Sequence, residues 1–147
     1  MADKSMIGRV MSRRTVHGEK GSLRFFTQAI GDTNPLYTDE SVARDAGYPG
    51  LPVPPTFLFC MNSETGDLVA TLKSLDLDLA RILHAEQAFT YHRMAYAGDT
   101  LSFETKLADV YEKKGGALQF VVQETRVTNQ AHEHVADLRG VIVQRNG

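Results

Sequence analysis

The spacing of apolar positions changes once along the chain, from a helical period in the first half to a period of two in the second. In GSLRFFTQAIG, Leu23, Phe26 and Ile30 fall at i, i+3 and i+7, one helix face, with Gly31 as the stop. This spacing predicts an amphipathic helix ending just before Asp32, with a short strand ahead of it between Met6 and Val16. Thr38 is placed to cap a second, short helix whose first turn carries Asp39 and Glu40 and which Gly47 and Pro49 terminate. The intervening DTNPLY must turn tightly. Pro54 and Pro55 introduce a third helix from Thr56 to about Met61, with its continuation through Asp67 to Lys73 left open, because proline is tolerated in a first helical turn.

From about Leu79 the alternation predicts four long strands: RILHAEQAFTYHR, LSFETKLADVYEK, ALQFVVQETRV and VADLRGVIVQR, separated by AGDT, KGG and TNQAHEH. In the third, Leu118, Phe120 and Val122 alternate with Gln119, Val121 and Gln123, a pattern suited to a sheet with unequal faces. Such a sheet needs an apolar cover, and the helices of the first half supply it. The expected class is α+β, one curved antiparallel sheet wrapping a central helix.

A chain of 147 residues is the size of one domain, here taken as 1–147, without internal repeat or linker. With 16 Lys and Arg against 18 Asp and Glu, the net charge of −2 provides no attraction to nucleic acid or to an acidic membrane surface. No apolar run approaches the roughly 20 residues that span a bilayer, and the amino terminus lacks a signal-peptide core, so a soluble cytoplasmic protein is expected. The lone Cys60, in TFLFCM, reads as a small packing residue. Phe25, Phe57 and Phe59 read as core.

Two ordered stretches, FTQAIGDTNPLYTDESVARDAGYPGLPVPPTF and LHAEQAFTYHRMAYAGDTL, resemble the MaoC-like (R)-specific enoyl-CoA hydratases and dehydratases, in particular their amino-terminal-type dehydratase domains. The resemblance runs from about Met6 to Val143. It implies a hot-dog fold, a homodimer or a heterodimer of two hot-dog subunits, and hydration of an enoyl thioester of coenzyme A or acyl-carrier protein, with no metal, nucleotide or redox cofactor. The family motif supplies an Asp, an Asn-Pro and a His five residues after the Asp. Asp32, Asn34 and Pro35 match; Tyr37 stands where the His is expected.

That departure matters, because a phenol ordinarily titrates near 10 and an imidazole near 6.5. Tyr37 can donate a proton or hold a water, but it is a poor base at neutral pH. The resemblance implies Asp32 as base and acid, oriented by Asn34, and it also implies that a domain with Tyr here often shapes the acyl channel while a partner carries the Asp/His pair. His84 or His92, eight residues apart on one strand face, are further candidates to enter the site across an interface. The family analogue of Pro55, Thr56 and Phe57 leads into the central helix, whose first N–H groups can hold a thioester oxyanion. Each candidate has a plainer reading: Asp32 in an Asx-turn, His84 and His92 as interface residues, Pro55 to Phe57 as an ordinary helix start. His132 and His134, two apart, are a weak metal signal in a turn. Lys113 and Lys114, before Gly115-Gly116, read as a solvated hairpin tip, with contact to coenzyme A phosphates as the lesser alternative. A hot-dog thioesterase using Glu64 or Asp67 is the remaining alternative, disfavoured by the segment around DTNPLY.

Overall fold

The alternating half forms the strands its pattern predicts. In the computed structural model, which describes residues 4–64 and 68–146, β1 (Val10–His17) precedes β2 (Ile82–Tyr91), β3 (Thr100–Lys113), β4 (Leu118–Thr128) and β5 (His134–Arg145). All pairings are antiparallel and the order is β1-β3-β4-β5-β2, which puts β1 and β2 at the sheet edges. Four helices, α1 (Lys20–Ala29), α2 (Glu40–Asp45), α3 (Phe57–Glu64) and α4 (Leu68–Ser74), complete the α+β arrangement. The curved sheet around α3 is the hot-dog fold. Among the described residues no helix is long and apolar enough to cross a membrane.

Two clusters hold the layers together. Phe57, Leu58 and Met61 of α3 and Leu23 of α1 pack on Phe103, Val127, Ala136 and Leu138 of the sheet. Beyond them Leu72 and Leu75 cover Leu107, Val110 and Val121. Burial of this apolar area is the main favourable term in folding.

Local chemistry corrects several expectations. Ile30 is 54 % exposed, and the buried face of α1 is Leu23 with Thr27, whose Oγ1 donates to Leu23 O at 2.9 Å. Phe25 is 73 % exposed because it lies two residues, about 200°, around the helix from Leu23. Phe59 is also partly exposed, at the rim of α3; only Phe57 of the three is core. The cap of α2 is Asp39 rather than Thr38, since its Oδ1 accepts from Ser41 N at 2.8 Å and Val42 N at 3.4 Å. In β4 the covered face is Gln119, Val121, Thr125 and Val127, while Leu118 and Phe120 lie on the other face. There Phe120 stacks on Tyr111, and Lys113 Nζ sits 5.0 Å above the Phe120 ring. Lys113 is thus engaged at the hairpin, beside a turn in which Lys114, Gly115 and Gly116 all take positive φ.

Bulges decide which way several side chains point. One extra residue in a strand reverses the alternation beyond it. In β3 the register skips Ala108, so Val110 returns to the covered face after Leu107. In β2 it skips Ala85, with His84 opposite Ile142 and Glu86 opposite Val141. His84 and His92 therefore face opposite sides of the sheet, and their expected common face does not exist.

Candidate active site

The turn after α1 is built by backbone bonds and two short polar side chains. Gly31 takes φ 72°, the left-handed conformation that ends helices, while Asp32 N bonds back to Thr27 O at 3.0 Å. Asp32 Oδ1 then accepts from Asn34 N at 2.9 Å, and Asn34 Oδ1 accepts from Leu36 N at 3.0 Å to start a 3₁₀ turn over Pro35–Tyr37. Both side chains form Asx-turns. Asn34 positions Asp32 through its backbone, and its side-chain oxygen is occupied by the turn. The second carboxylate oxygen of Asp32 has no hydrogen-bond partner among the described residues.

Charge fastens this overhang to the body. Glu40 reaches Lys20 at 2.5 Å and Arg44 at 3.3 Å, and Arg24 Nε donates to Thr38 O at 2.9 Å. The Lys20 hydrogen bond holds the Glu40 carboxyl below its usual value, and the hydrogen bonds from Ser41 do the same for Asp39. A lowered folded-state pKa contributes stability when the group is ionised, in full above the unfolded value near about 4, and that contribution is lost as pH falls through the lowered value. The Ser41 and Val42 amides are therefore expected to lose hydrogen-exchange protection below about pH 4 before the sheet amides do. Simultaneous loss in both places would contradict this order.

Tyr37 is brought to a cavity of about 340 Å³ with Val53, Pro55, Leu58, Tyr91 and His92. Here Pro54 and Pro55 carry no N–H, and Phe57 N is bonded to Pro54 O at 2.9 Å. Thr56 is consequently the residue whose N–H opens the helix start; Pro55 lines the cavity, and Phe57 packs its ring 4.9 Å from Phe26. Tyr91 Oη donates to Pro55 O, which pins the start of α3 to the edge strand. Although Tyr91 is 45 % exposed, its hydroxyl is held on Pro55 O, and partial burial pushes its pKa up to about 12. It stays a donor across the neutral range. Asp32 does not line this cavity.

A second cavity, of about 370 Å³, opens on the other side of α3 between that helix and the sheet. It mixes apolar walls with Arg14, Asn62, His84, Gln87 and Thr105. Phe59 stacks on His84 with centroids 5.2 Å apart, and Arg14 Nη1 donates to Asn62 O. Asn62 Oδ1 is buried there without a hydrogen-bond partner. Nothing in the sequence period marked Arg14 or Asn62, because their meeting needs β1 laid beside α3.

Elsewhere the candidates disperse. Cys60 is partly buried against the main cluster, and burial pushes its thiol up, away from the reactive thiolate. Glu64 is exposed at the end of α3 and lines neither cavity; Asp67 lies outside the described residues. His132 and His134 do not converge: His134 meets His92 and Asp137 instead.

Residues 5–138 match the family model described as FAS1-like, dehydratase domain region. A UPF0336 protein of Streptomyces coelicolor is 33 % identical over 145 residues, covering 97 % of this chain and 95 % of that one. Among solved structures, the HadBC (3R-hydroxyacyl-ACP dehydratase) complex of Mycobacterium tuberculosis superposes with a TM-score of 0.81 at 24 % identity, covering 94 % of this chain and 96 % of its own. The (R)-hydratase of A. caviae superposes at 0.72 with 17 % identity, covering 92 % of this chain and 94 % of its own. At these identities the two structures speak to the fold.

Proposed function

Because the chain belongs to the FAS1-like dehydratase-region family, as a MaoC-like hot-dog dehydratase domain, we propose that it is one subunit of a paired hot-dog enoyl-thioester hydratase, or 3-hydroxyacyl-thioester dehydratase, whose base comes from a His-bearing partner. The observation that carries this reading is Tyr37. It occupies the expected histidine position and lines a cavity that Asp32 does not. In hydration, water oxygen bonds to the β carbon, a base takes its proton, and the α carbon receives a proton as the enolate collapses. The reaction is redox-neutral and calls for no redox cofactor. This chain would hold the thioester end of the substrate in the cavity lined by Tyr37, Pro55 and Leu58, with the thioester oxygen near Thr56 N–H at the start of α3, between Pro55 and Phe57.

The partner is supported by β2. This ten-residue edge strand presents Leu83 at 57 % and Tyr91 at 45 % exposure, with Met94 at 43 % just past its end. An unpaired apolar edge is a pairing surface, and here it fits a second hot-dog domain. The solved HadBC neighbour is itself a complex of two kinds of chain.

A second reading, a homodimer in which Asp32 is base and acid and Tyr37 the proton donor, is favoured by the unpartnered oxygen of Asp32. One assay separates them. The ultraviolet absorbance of crotonyl-CoA, and then of a longer enoyl-CoA, is followed with this chain alone, with a His-bearing hot-dog partner, and with Leu83→Glu in place of wild type. The expected result is no turnover alone, hydration by the pair, and loss of most of that gain, together with the heavier species in size-exclusion chromatography, for Leu83→Glu. Turnover by the chain alone that vanishes in Asp32→Ala establishes the homodimer reading. Release of free coenzyme A from a saturated acyl-CoA points to a thioesterase and overturns both.

A further inference from the structure

We propose that His92, His134 and Asp137 form a binding site for a borderline divalent cation of the Zn²⁺ class. The sequence holds them 42 and 3 positions apart, and in an unbroken strand His134 and Asp137, of opposite parity, would face opposite sides. The fold removes that obstacle with a bulge. Between β4 and β5, Val127 pairs with Ala136 and Thr128 with His134, so Val135 is the extra residue. Val135 O also accepts two amides of the incoming chain, His92 N at 2.9 Å and Arg93 N at 3.1 Å. The bulge thus turns His134 onto the face of Asp137 and draws His92 in beside them. Re-aiming a side chain is a recurrent use of β-bulges next to functional sites.

The donor atoms converge. His92 Nε2 lies 2.7 Å from Asp137 Oδ2, and His134 Nε2 lies 2.8 Å from Asp137 Oδ1. The two imidazole centroids are 4.2 Å apart, and one donor atom from each of the three residues falls within 4.8 Å of the others. An ion with bonds of about 2.0–2.2 Å to nitrogen and oxygen spans such a set after small side-chain rotations. In the metal-free cluster each ring shares a proton with the carboxylate. Binding moves each of those protons to the ring's own Nδ1, or to water if the ring carries two, and puts each Nε2 lone pair and the carboxylate on the ion. Two imidazoles and one carboxylate suit Zn²⁺, Co²⁺ or Ni²⁺; Mg²⁺ and Ca²⁺ prefer oxygen-only sets. Side-chain exposures of 40 %, 28 % and 48 % leave room for water as a further ligand. His92 also lines the cavity that holds Tyr37, so a bound ion would stand at the wall of that cavity.

The test is titration of the full chain, treated with a chelator and then dialysed, with Co²⁺ alone. The expected result is a visible ligand-field band that saturates at one Co²⁺ per chain, is displaced by Zn²⁺ but not by millimolar Mg²⁺, and is lost in His92→Ala and in Asp137→Asn. His132→Ala, which changes the neighbouring histidine outside the cluster, is expected to keep the band. The metal-free melting temperature and far-ultraviolet circular dichroism of each variant establish that it is folded. A folded wild type without the band, or a band that survives both His92→Ala and Asp137→Asn, overturns the proposal and leaves the cluster as a hydrogen-bonded surface network. Because the readout needs neither an enoyl thioester nor a partner subunit, it stands apart from the proposed hydration.

Discussion

Replacing Tyr37 with histidine is expected to give the isolated chain enoyl-CoA hydration at least about 10²-fold above the background rate seen with wild type, the lower bound for a positioned general base. The substitution puts an imidazole, a side chain that ordinarily exchanges a proton near pH 6.5, in place of the phenol. It does so on a wall already shared with Pro55 and Tyr91, and five residues from a carboxylate with one oxygen unengaged. The rate is expected to rise with pH as the new imidazole loses its proton, and Asp32→Ala/Tyr37→His tests whether the carboxylate, which does not line the same cavity, takes part. Crotonyl-CoA absorbance checks both. A folded Tyr37→His without activity would mean that Asp32 serves its Asx-turn alone and that the base must arrive from another chain.

Phe103→Ala is expected to have the largest effect on stability. Phe103 is 1 % exposed, pairs across the sheet with Arg14 on one side and Val127 on the other, and packs in the cluster under α1 and α3. Removing such a ring costs about 3–5 kcal/mol, through lost transfer energy and the cavity left behind. For a chain of this size that lowers the melting temperature by roughly 10 °C. Because domains are stable by only about 5–15 kcal/mol, the variant is also expected to express poorly at 37 °C. A fall of less than about 3 °C in a thermal melt would show that the helices collapse into the space and that the layer contact is looser than its burial indicates.

The architecture was legible because its signals are local and repeated. Period-two alternation extends through each of β3, β4 and β5, and one bulge in β3 does not erase it. The prolines before Phe57 and the glycine after Ile30 punctuate the helices by backbone sterics alone. The candidate site was less legible. Asp32, Asn34 and Tyr37 are close in sequence, yet their spacing does not say that Asp32 Oδ1 is taken by Asn34 N or that Tyr37 and Asp32 open on different surroundings. Thr38 and Asp39 are both good caps, and only the chain direction at the 3₁₀ turn selects Asp39. His84 and His92 share parity by counting, and one inserted alanine undoes it.

What the sequence determined by itself was the strands and the first three helices, though not the separate helix Leu68–Ser74, together with the overhang motif and the tyrosine that interrupts the expected Asp/His pair. These follow from φ/ψ preference, apolar period and residue identity, which act over a few neighbours. The tertiary structure alone decided the cavity under α3 and the exposed β2 edge. It also brought His92, His134 and Asp137 together through the Val135 bulge. Each of those depends on where strands distant in sequence pair and on where a register slips by one residue, and that is settled by the packing of the whole sheet against its helices rather than by any segment of the chain.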